Sequence, residues 1–326
     1  MKNLPRRDFL RVAGLAAAGS ILCHPALAQA YPSRPVRLVI PFNAGGSTDI
    51  VGRLMCQWLS ERTGQSFVVE NKPGGGTNIA TQLVVNAPPD GYTLLYTVST
   101  HSINPSLYKS LPFDFQRDIV AVAGLFELPL VLVMHPQVPA KNFAEFIAYA
   151  KANPGKINMG SFGVRTISHL SIELLKSSTG IEFQHVPYTG GAPMLAAMIP
   201  GQIEAGVDAL PNALPHIRSG ALRALAVLSR ARTPTLPDVP TMSELTPGYE
   251  VTSWNGVGAP RGTPPEIVER LNREINAGLR DAALLKRAAD IGGIPIRATP
   301  AEMTELIARA TDKWAKVVKA AGIEPQ

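Results

Sequence analysis

The sequence predicts an α/β protein of two lobes. Three observations carry this. Strand-like and helix-like segments alternate almost throughout, the pattern of mostly parallel sheets. About 296 residues remain beyond a 30-residue export signal, enough for two units of ~100–200 residues. A Pro-rich crossing late in the chain is followed by one more strand and two long helices, as when a chain returns to its first lobe.

The first element is the export signal. Arg6-Arg7-Asp8-Phe9-Leu10 precedes an apolar run over 12–22, and Ala26-Leu27-Ala28-Gln29-Ala30 supplies small residues after it. A charged start, a short apolar core and an A-x-A site make a cleavable signal. The run is shorter than the ~20 residues of a membrane span. The arginine pair resembles a twin-arginine (Tat) signal, which carries folded cargo. Cleavage is expected near Ala30, with Ala28 as the neighbouring choice, and the product is expected in the periplasm.

Without residues 1–30, 27 basic and 24 acidic residues remain, a net charge of +3. That balance lacks the dense basic patch a nucleic-acid partner requires. One of the two cysteines, Cys23, lies in the signal, so Cys56 has no internal disulfide partner. Ser20-Ile21-Leu22 lacks the small residue that a lipoprotein site wants before its cysteine. The longest later apolar stretch, 121–134, is broken by Glu127 and Pro129 and reads as two buried strands.

The strand at 36–42 is short and apolar, and a helix over 49–63 carries Ile50, Leu54 and Trp58 at helical spacing. Gly64 is its expected left-handed cap. A strand at 67–70, a helix at 78–86, turn chemistry at Pro88-Pro89-Asp90-Gly91 and a strand at 92–97 follow. Strands are expected at 119–126 and 130–134, then a helix striped by Phe143, Phe146, Ile147 and Ala150 that stops at Asn153-Pro154-Gly155. Strand–helix pairs follow at 157–160 and 167–178, 183–187 and 192–199, and 203–207 and 212–219. A strand at 222–228 precedes the crossing at 233–247, which has no regular periodicity, and the returning strand is at 251–257. The closing helices carry Ile267, Leu271 and Ile275, and Met303, Ile307, Ala310, Trp314 and Val317. Crossovers near Leu128 and Tyr249 would form a hinge of the kind that closes over ligands. Trp58 and Trp314 read as core, and Trp254 as a possible cleft wall.

Four loops each leave a strand and open a helix: Pro41-Phe42-Asn43-Ala44-Gly45-Gly46-Ser47-Thr48-Asp49; Asn71-Lys72-Pro73-Gly74-Gly75-Gly76-Thr77-Asn78; Gly160-Ser161-Phe162-Gly163-Val164-Arg165-Thr166-Ile167-Ser168; and Pro187-Tyr188-Thr189-Gly190-Gly191. Ligands of open α/β sheets bind beyond the carboxyl ends of strands. Glycines allow close backbone approach, helix starts supply free N–H donors and a positive dipole end, and hydroxyls add neutral donors. Such loops suit small anions. Each also has a plainer reading as a tight turn with a helix cap, Thr48 or Asp49 in the first. No loop matches a nucleotide phosphate motif.

Catalytic constellations are poor. His101, His135, His169, His185 and His216 show no paired metal-ligand spacing, and there is no G-x-S-x-G elbow. His169 beside Ser168 either forms a Ser/His pair or packs near the cleft. Asp208, after the strand at 203–207, is either a ligand contact or a cap for the next helix. Arg165 either forks onto a carboxylate or is a solvated loop arginine.

The series Pro41-Phe42-x-Ala44-Gly45-Gly46-x-x-Asp49, Val69-Glu70-Asn71-Lys72-Pro73-Gly74, Asp90-Gly91-Tyr92-Thr93-Leu94-Leu95, Ile103-Asn104-Pro105-Ser106-Leu107-Tyr108, Val186-Pro187-Tyr188, Leu222-Arg223-Ala224-Leu225-Ala226-Val227 and Pro237-Asp238-Val239-Pro240-Thr241 resembles the Bug-type, TctC-like receptors. These are the periplasmic substrate-binding proteins of tripartite tricarboxylate transporters. The likeness implies the two-lobed Venus-flytrap fold of the type II periplasmic binding protein class, with a central mixed sheet in each lobe. The lobes would be 31–128 with 250–326, and 129–249. It implies an organic acid held between them by backbone amides, hydroxyls and waters, with no cofactor, no metal and no catalysis. By carry-over, Phe42, Asn43, Ala44, Gly45, Gly46, Ser47, Thr48 and Asp49; Val98, Ser99 and Thr100; Ser161, Phe162, Gly163, Arg165, Thr166, Ser168 and His169; Tyr188, Thr189 and Gly190; and Asp208 bind the ligand. Arg165 departs from the pattern, because such receptors usually carry a small residue there, commonly glycine. The expected partner is a membrane permease, and the receptor is expected to be a monomer. Rivals are a sensor subunit signalling to a membrane kinase and an exported enzyme using Ser168 with His169, or Asp208. The acid is left open among di- and tricarboxylates, aromatic carboxylates, acidic amino acids and nicotinate-like acids. Phe42, Phe162, Val164 and Tyr188 are compatible with an aromatic one.

Overall fold

A computed structural model describes residues 31–249, 251–320 and 322–325. The body described below runs from Arg34 to Gln326. The export-signal reading falls on residues 1–30, outside the described residues.

The body opens with β1 (Val36–Ile40), an apolar run buried as a strand covered on both faces must be. Helix α1 (Ser47–Thr63) is closed by Gly64 at φ 71°, whose N–H reaches the Ser60 carbonyl. Next come β2 (Phe67–Asn71), a 3-10 turn (Gly75–Thr77), α2 (Asn78–Val85) and β3 (Thr93–Val98). β1 pairs in parallel with both β2 and β3. After α3 (Thr100–Leu107) and the short α4 (Phe115–Asp118), β4 (Ile119–Glu127) runs almost directly into β5 (Leu130–Met134) of a second sheet. There follow α5 (Phe143–Ala152), β6 (Asn158–Ser161), α6 (Ile167–Thr179), β7 (Gln184–Pro187), α7 (Gly191–Met198), β8 (Ala205–Ala209), α8 (Leu210–Arg218) and β9 (Arg223–Val227). The crossing contains α9 (Met242–Leu245) and leads to β10 (Trp254–Pro260), α10 (Pro265–Gly278), α11 (Ala282–Asp290), β11 (Ile294–Pro295) and α12 (Pro300–Ala320).

The strands form two sheets, ordered β11-β4-β10-β3-β1-β2 and β7-β6-β8-β5-β9. Both are mixed. The returning β10 lies antiparallel to β3 and β4, and β5 lies antiparallel to β8 and β9. The alternation rule foresees mostly parallel pairing, and it fails where a strand changes sheet, because β5 and β10 enter their sheets without a preceding crossover helix.

Two chain segments join the sheets and are hydrogen-bonded side by side. Leu128 N donates to Ser253 O at 2.8 Å, Leu228 N to Leu130 O at 2.8 Å and Val251 N to Leu228 O at 2.9 Å. The largest apolar core surrounds the second sheet and takes in Ile103 and Leu107 of α3 and Trp314 and Val318 of α12. Trp314 is core, as its helical spacing predicts. Trp254 is also core: it packs with Val39, Leu95 and Met303 instead of lining the cleft. Among the described residues, no helix is long and apolar enough to cross a membrane.

Candidate functional site

The first loop turns at Gly45–Gly46 so that α1 begins with no side-chain cap. Asp49 is not the cap. Its carboxylate accepts from Gly45 N at 3.0 Å, Arg53 Nε at 2.8 Å and Asn71 Nδ2 at 3.1 Å. Burial alone would raise its pKa, but these donors outweigh that and hold it below the ordinary value. Asp49 therefore braces the loop from behind.

Beyond the sheet ends lies an inner cavity of about 40 Å³, room for about three water molecules. Its wall includes Phe42, Asn43, Gly46, Ser47, Thr48, Val98, Thr100, Phe162, Gly190 and Asp208, all expected from the sequence. It also includes Leu128, Ile167, Gly191, Ala209, Ser253 and Asn255, which were not expected. Leu128, Ser253 and Asn255 come from the two connecting segments and the start of β10, where no local motif marks them.

Five helices begin at this wall: α1 at Ser47, α3 at Thr100, α6 at Ile167, α7 at Gly191 and α8 just after Ala209. Only α6 has a side-chain cap, Thr166 Oγ1 accepting from His169 N. The other four have no side-chain cap bond. First-turn N–H groups have no intrahelical acceptor, and each helix start carries roughly half a positive charge; α8 adds mainly its dipole, because Leu210 N already donates to Pro129 O at 2.7 Å and Pro211 has no N–H. Gly191 makes the convergence possible, since a Cβ there would collide with the Asn212 and Asp208 side chains.

Asp208 is the sole titratable side chain on the inner wall. It lies within β8, opposite Val131, and is 1% exposed. The strand begins and ends two residues later than expected. Burial pushes its carboxyl up to about 7, against hydrogen bonds from Asn212 Nδ2 at 3.0 Å and Ala209 N at 2.8 Å. It thus faces the cavity and also ties down the start of α8.

A larger outer compartment of about 500 Å³ adjoins the inner one. Phe42 and Phe162 line both, set edge to face with centroids 5.7 Å apart. Gly163, Arg165, Thr166, Tyr188 and Thr189 line the outer compartment, joined by Gly74, Gly75, Gly76 and Thr77 of the second Gly-rich loop and by Tyr108 and Val164. The Arg165 guanidinium is stacked 4.5 Å above the Tyr108 ring, so Arg165 is not simply a solvated loop residue.

Seven expected contacts line neither compartment: Ala44 and Gly45, which are exposed, and Asp49, Ser99, Ser161, Ser168 and His169. Ser99 ties β3 to β10, its hydroxyl accepting from Trp254 N at 2.7 Å. Ser161 Oγ is 2.7 Å from His185 Nε2. Ser168 donates to Val207 O at 2.6 Å, and His169 Nδ1 accepts from Arg165 N at 3.0 Å. Ser168 and His169 are therefore not a nucleophile and its base. His169 instead stacks on His185 at 4.1 Å. Burial, and next the neighbouring His169, pushes His185 down to about 4. Among the described residues, no three His, Cys, Asp or Glu side chains are grouped to hold a metal ion.

Comparisons with known proteins place the chain in a family. The family model described as the tripartite tricarboxylate transporter family receptor matches residues 51–323. Protein BugT of Bordetella pertussis is 37% identical over 317 residues, 96% of this chain and 97% of its own length. An R. palustris protein solved with adipate is 38% identical with a TM-score of 0.88, covering 91% of this chain and 100% of its own. MatC from Rhodopseudomonas palustris with bound malate is 33% identical with a TM-score of 0.84, covering 88% and 100%. The periplasmic binding protein BugD is 35% identical with a TM-score of 0.88, covering 91% and 100%.

Proposed function

From the premise that this chain belongs to the tripartite tricarboxylate transporter receptor family, a family of solute-binding proteins and not of enzymes, we propose that it captures a small organic acid between two lobes in the periplasm. We take residues 31–128 with 250–326 as one lobe and 129–249 as the other. The acid enters the open cleft, lobe closure buries its carboxylate in the inner cavity, and the closed form delivers it to the permease of a tripartite transporter. The signal at residues 1–30 directs export and is removed near Ala30.

The observation that carries this reading is the convergence of five helix starts, four without side-chain caps, on one small cavity. Backbone donors fixed by folding stabilise a carboxylate without reorganising and without a countercharge. The hydroxyls of Ser47, Thr48 and Thr100 add neutral donors. Relatives solved with adipate and malate support a carboxylate as the ligand class.

A thermal-shift screen of organic acids and their neutral amides tests it. A ligand a hundredfold above its dissociation constant stabilises the native state by about 2.7 kcal/mol. At least one acid is expected to raise the melting temperature and its amide is not. Equal shifts with acid and amide, or no shift with any acid, would overturn the proposal.

A further inference from the structure

We propose that His169 is a positioning residue for the third loop: its neutral ring holds residues 161–166 in the shape that lines both compartments, and a second proton on that ring releases them. The inference rests on the receptor reading above and adds a control of that site by pH.

The loop is tied at two points to a pair of stacked imidazoles. His169 of α6 and His185 of β7 lie ring on ring, 4.1 Å apart and 12° from parallel. Ser161 Oγ is 2.7 Å from His185 Nε2 and accepts from Gly163 N at 3.3 Å. Arg165 N donates to His169 Nδ1 at 3.0 Å.

The tie at Arg165 requires one protonation state. An imidazole that accepts at Nδ1 is neutral and carries its proton on Nε2, which here lies 3.6 Å from Glu173 Oε1. An imidazolium donates at both nitrogens and accepts at neither, so a second proton sets N–H against N–H. The backbone at this point depends on the tie. Arg165 has a φ of 60°, a left-handed conformation that a residue with a side chain keeps where its surroundings hold it. Release reaches the walls on both sides of this residue. Phe162 lines both compartments, Gly163 and Thr166 line the outer one, and Ile167 N donates to Thr100 Oγ1 of α3 at 3.4 Å.

The groups around His169 favour a single proton step. From α6 come Glu173, which the adjacent His169 holds below its ordinary value, and Lys176, paired with Glu182 at 2.7 Å. β7 gives His185, which burial, and next His169, pushes down to about 4, so it is neutral from pH 5 to 8. The loop gives Arg165, whose guanidinium lies over the Tyr108 ring. β6 carries no titratable side chain, β8 gives Asp208, held by Asn212 Nδ2 and Ala209 N, and the crossing gives Tyr249, whose hydroxyl donates to Ser171 O. Two imidazoles in face-to-face contact do not both carry charge. The proton goes to the ring beside Glu173, in the range where histidine changes charge.

The test follows the Arg165 amide by hydrogen exchange, read by NMR, from pH 7.5 to 5 in the ligand-free wild type, His169→Asn and His169→Ala. Asparagine offers an acceptor near the place of Nδ1 and takes up no proton. In the wild type, protection of this amide, corrected for the pH dependence of intrinsic exchange, is expected to fall about fivefold or more toward pH 5, the worth of one hydrogen bond. His169→Asn is expected to keep its protection across the range, and His169→Ala to lack it at every pH. In calorimetric titration with adipate and with malate, the affinity of the wild type relative to His169→Asn is expected to fall toward pH 5. The ionisation of the ligand and of Asp208 is common to both proteins and cancels in that ratio. Equal protection of the Arg165 amide in wild type and His169→Asn at pH 5, or an affinity ratio that does not move with pH, would overturn the proposal and leave the receptor reading standing. A wild type whose Arg165 amide loses protection on acidification, but which binds neither acid nor any other in the thermal-shift screen, would overturn the receptor reading and with it the control of capture.

Discussion

At the residue scale, Asp208 makes the site responsive to pH. Its carboxyl is raised to about 7 by burial, so the folded protein holds a proton there that the unfolded chain releases near 3.8. The native state gains from that proton below about 4, and the gain is lost as pH rises through about 7. A bound carboxylate in the same cavity disfavours the ionised form further, so binding takes up a proton. Affinity for the acid is therefore expected to fall as pH rises from about 6 to 8.5, by at most about tenfold per pH unit above the apparent pKa. Asp208→Asn should flatten that slope. Titrations that give the same slope in both proteins would separate Asp208 from the bound acid. A sequence reader can see an acid near a strand's end, but not its burial, which comes from Gly191 and Asn212 closing around it.

At the element scale, the convergence of helix starts depends on close approach between α7 and α8. Gly191→Ala would press a methyl group against Asp208 and Asn212. Such overpacking costs about 1–3 kcal/mol, and it moves two N-termini from their common focus. The variant is expected to melt lower and to lose acid affinity beyond what the stability loss explains. Unchanged affinity in titration would mean that α7 contributes no donors. Helices α1, α6 and α7 were legible because each follows a strand through glycine or hydroxyl residues, and α8 because it follows an apolar strand. Helix α3 was not. Its Thr100-His101-Ser102 start has poor helix propensity, it contains Pro105, and it has no side-chain cap. Tertiary burial sustains it, since His101, Ser102 and Asn104 are all buried. Helix α11 was not expected, although it left a readable signal: Asp281 accepts from Leu284 N at 2.9 Å and starts a further helix between the two closing helices that were expected.

At the scale of the whole molecule, the two sheets are joined by paired segments at 128–130 and 228–253, and rotation about a few such residues suffices to open a cleft. In this structure the facing loops touch. Asn43 Nδ2 donates to Thr189 Oγ1 at 2.6 Å, and Phe42 meets Phe162. On the proposed mode of capture the acid reaches the inner cavity, about 40 Å³ in this structure, while these contacts are apart, so a crosslink across them should abolish capture. A Cβ placed on Gly190 lies 3.8 Å from the Asn43 Cβ, at the mean of about 3.8 Å for disulfides. Asn43→Cys with Gly190→Cys is therefore expected to oxidise to a locked, closed protein. Cys56 will not compete, because it is buried in α1 and its thiol is pushed up to about 12 by burial. The φ of 154° at Gly190 disfavours a side chain, so Gly190→Ala serves as the control for that strain. In X-ray scattering the oxidised, ligand-free double variant should match the smaller radius of the liganded wild type, and acid should exchange only after reduction. An oxidised variant that scatters and exchanges like the reduced wild type would show that the cleft does not open across these loops, and the acid would need another route to the five helix starts.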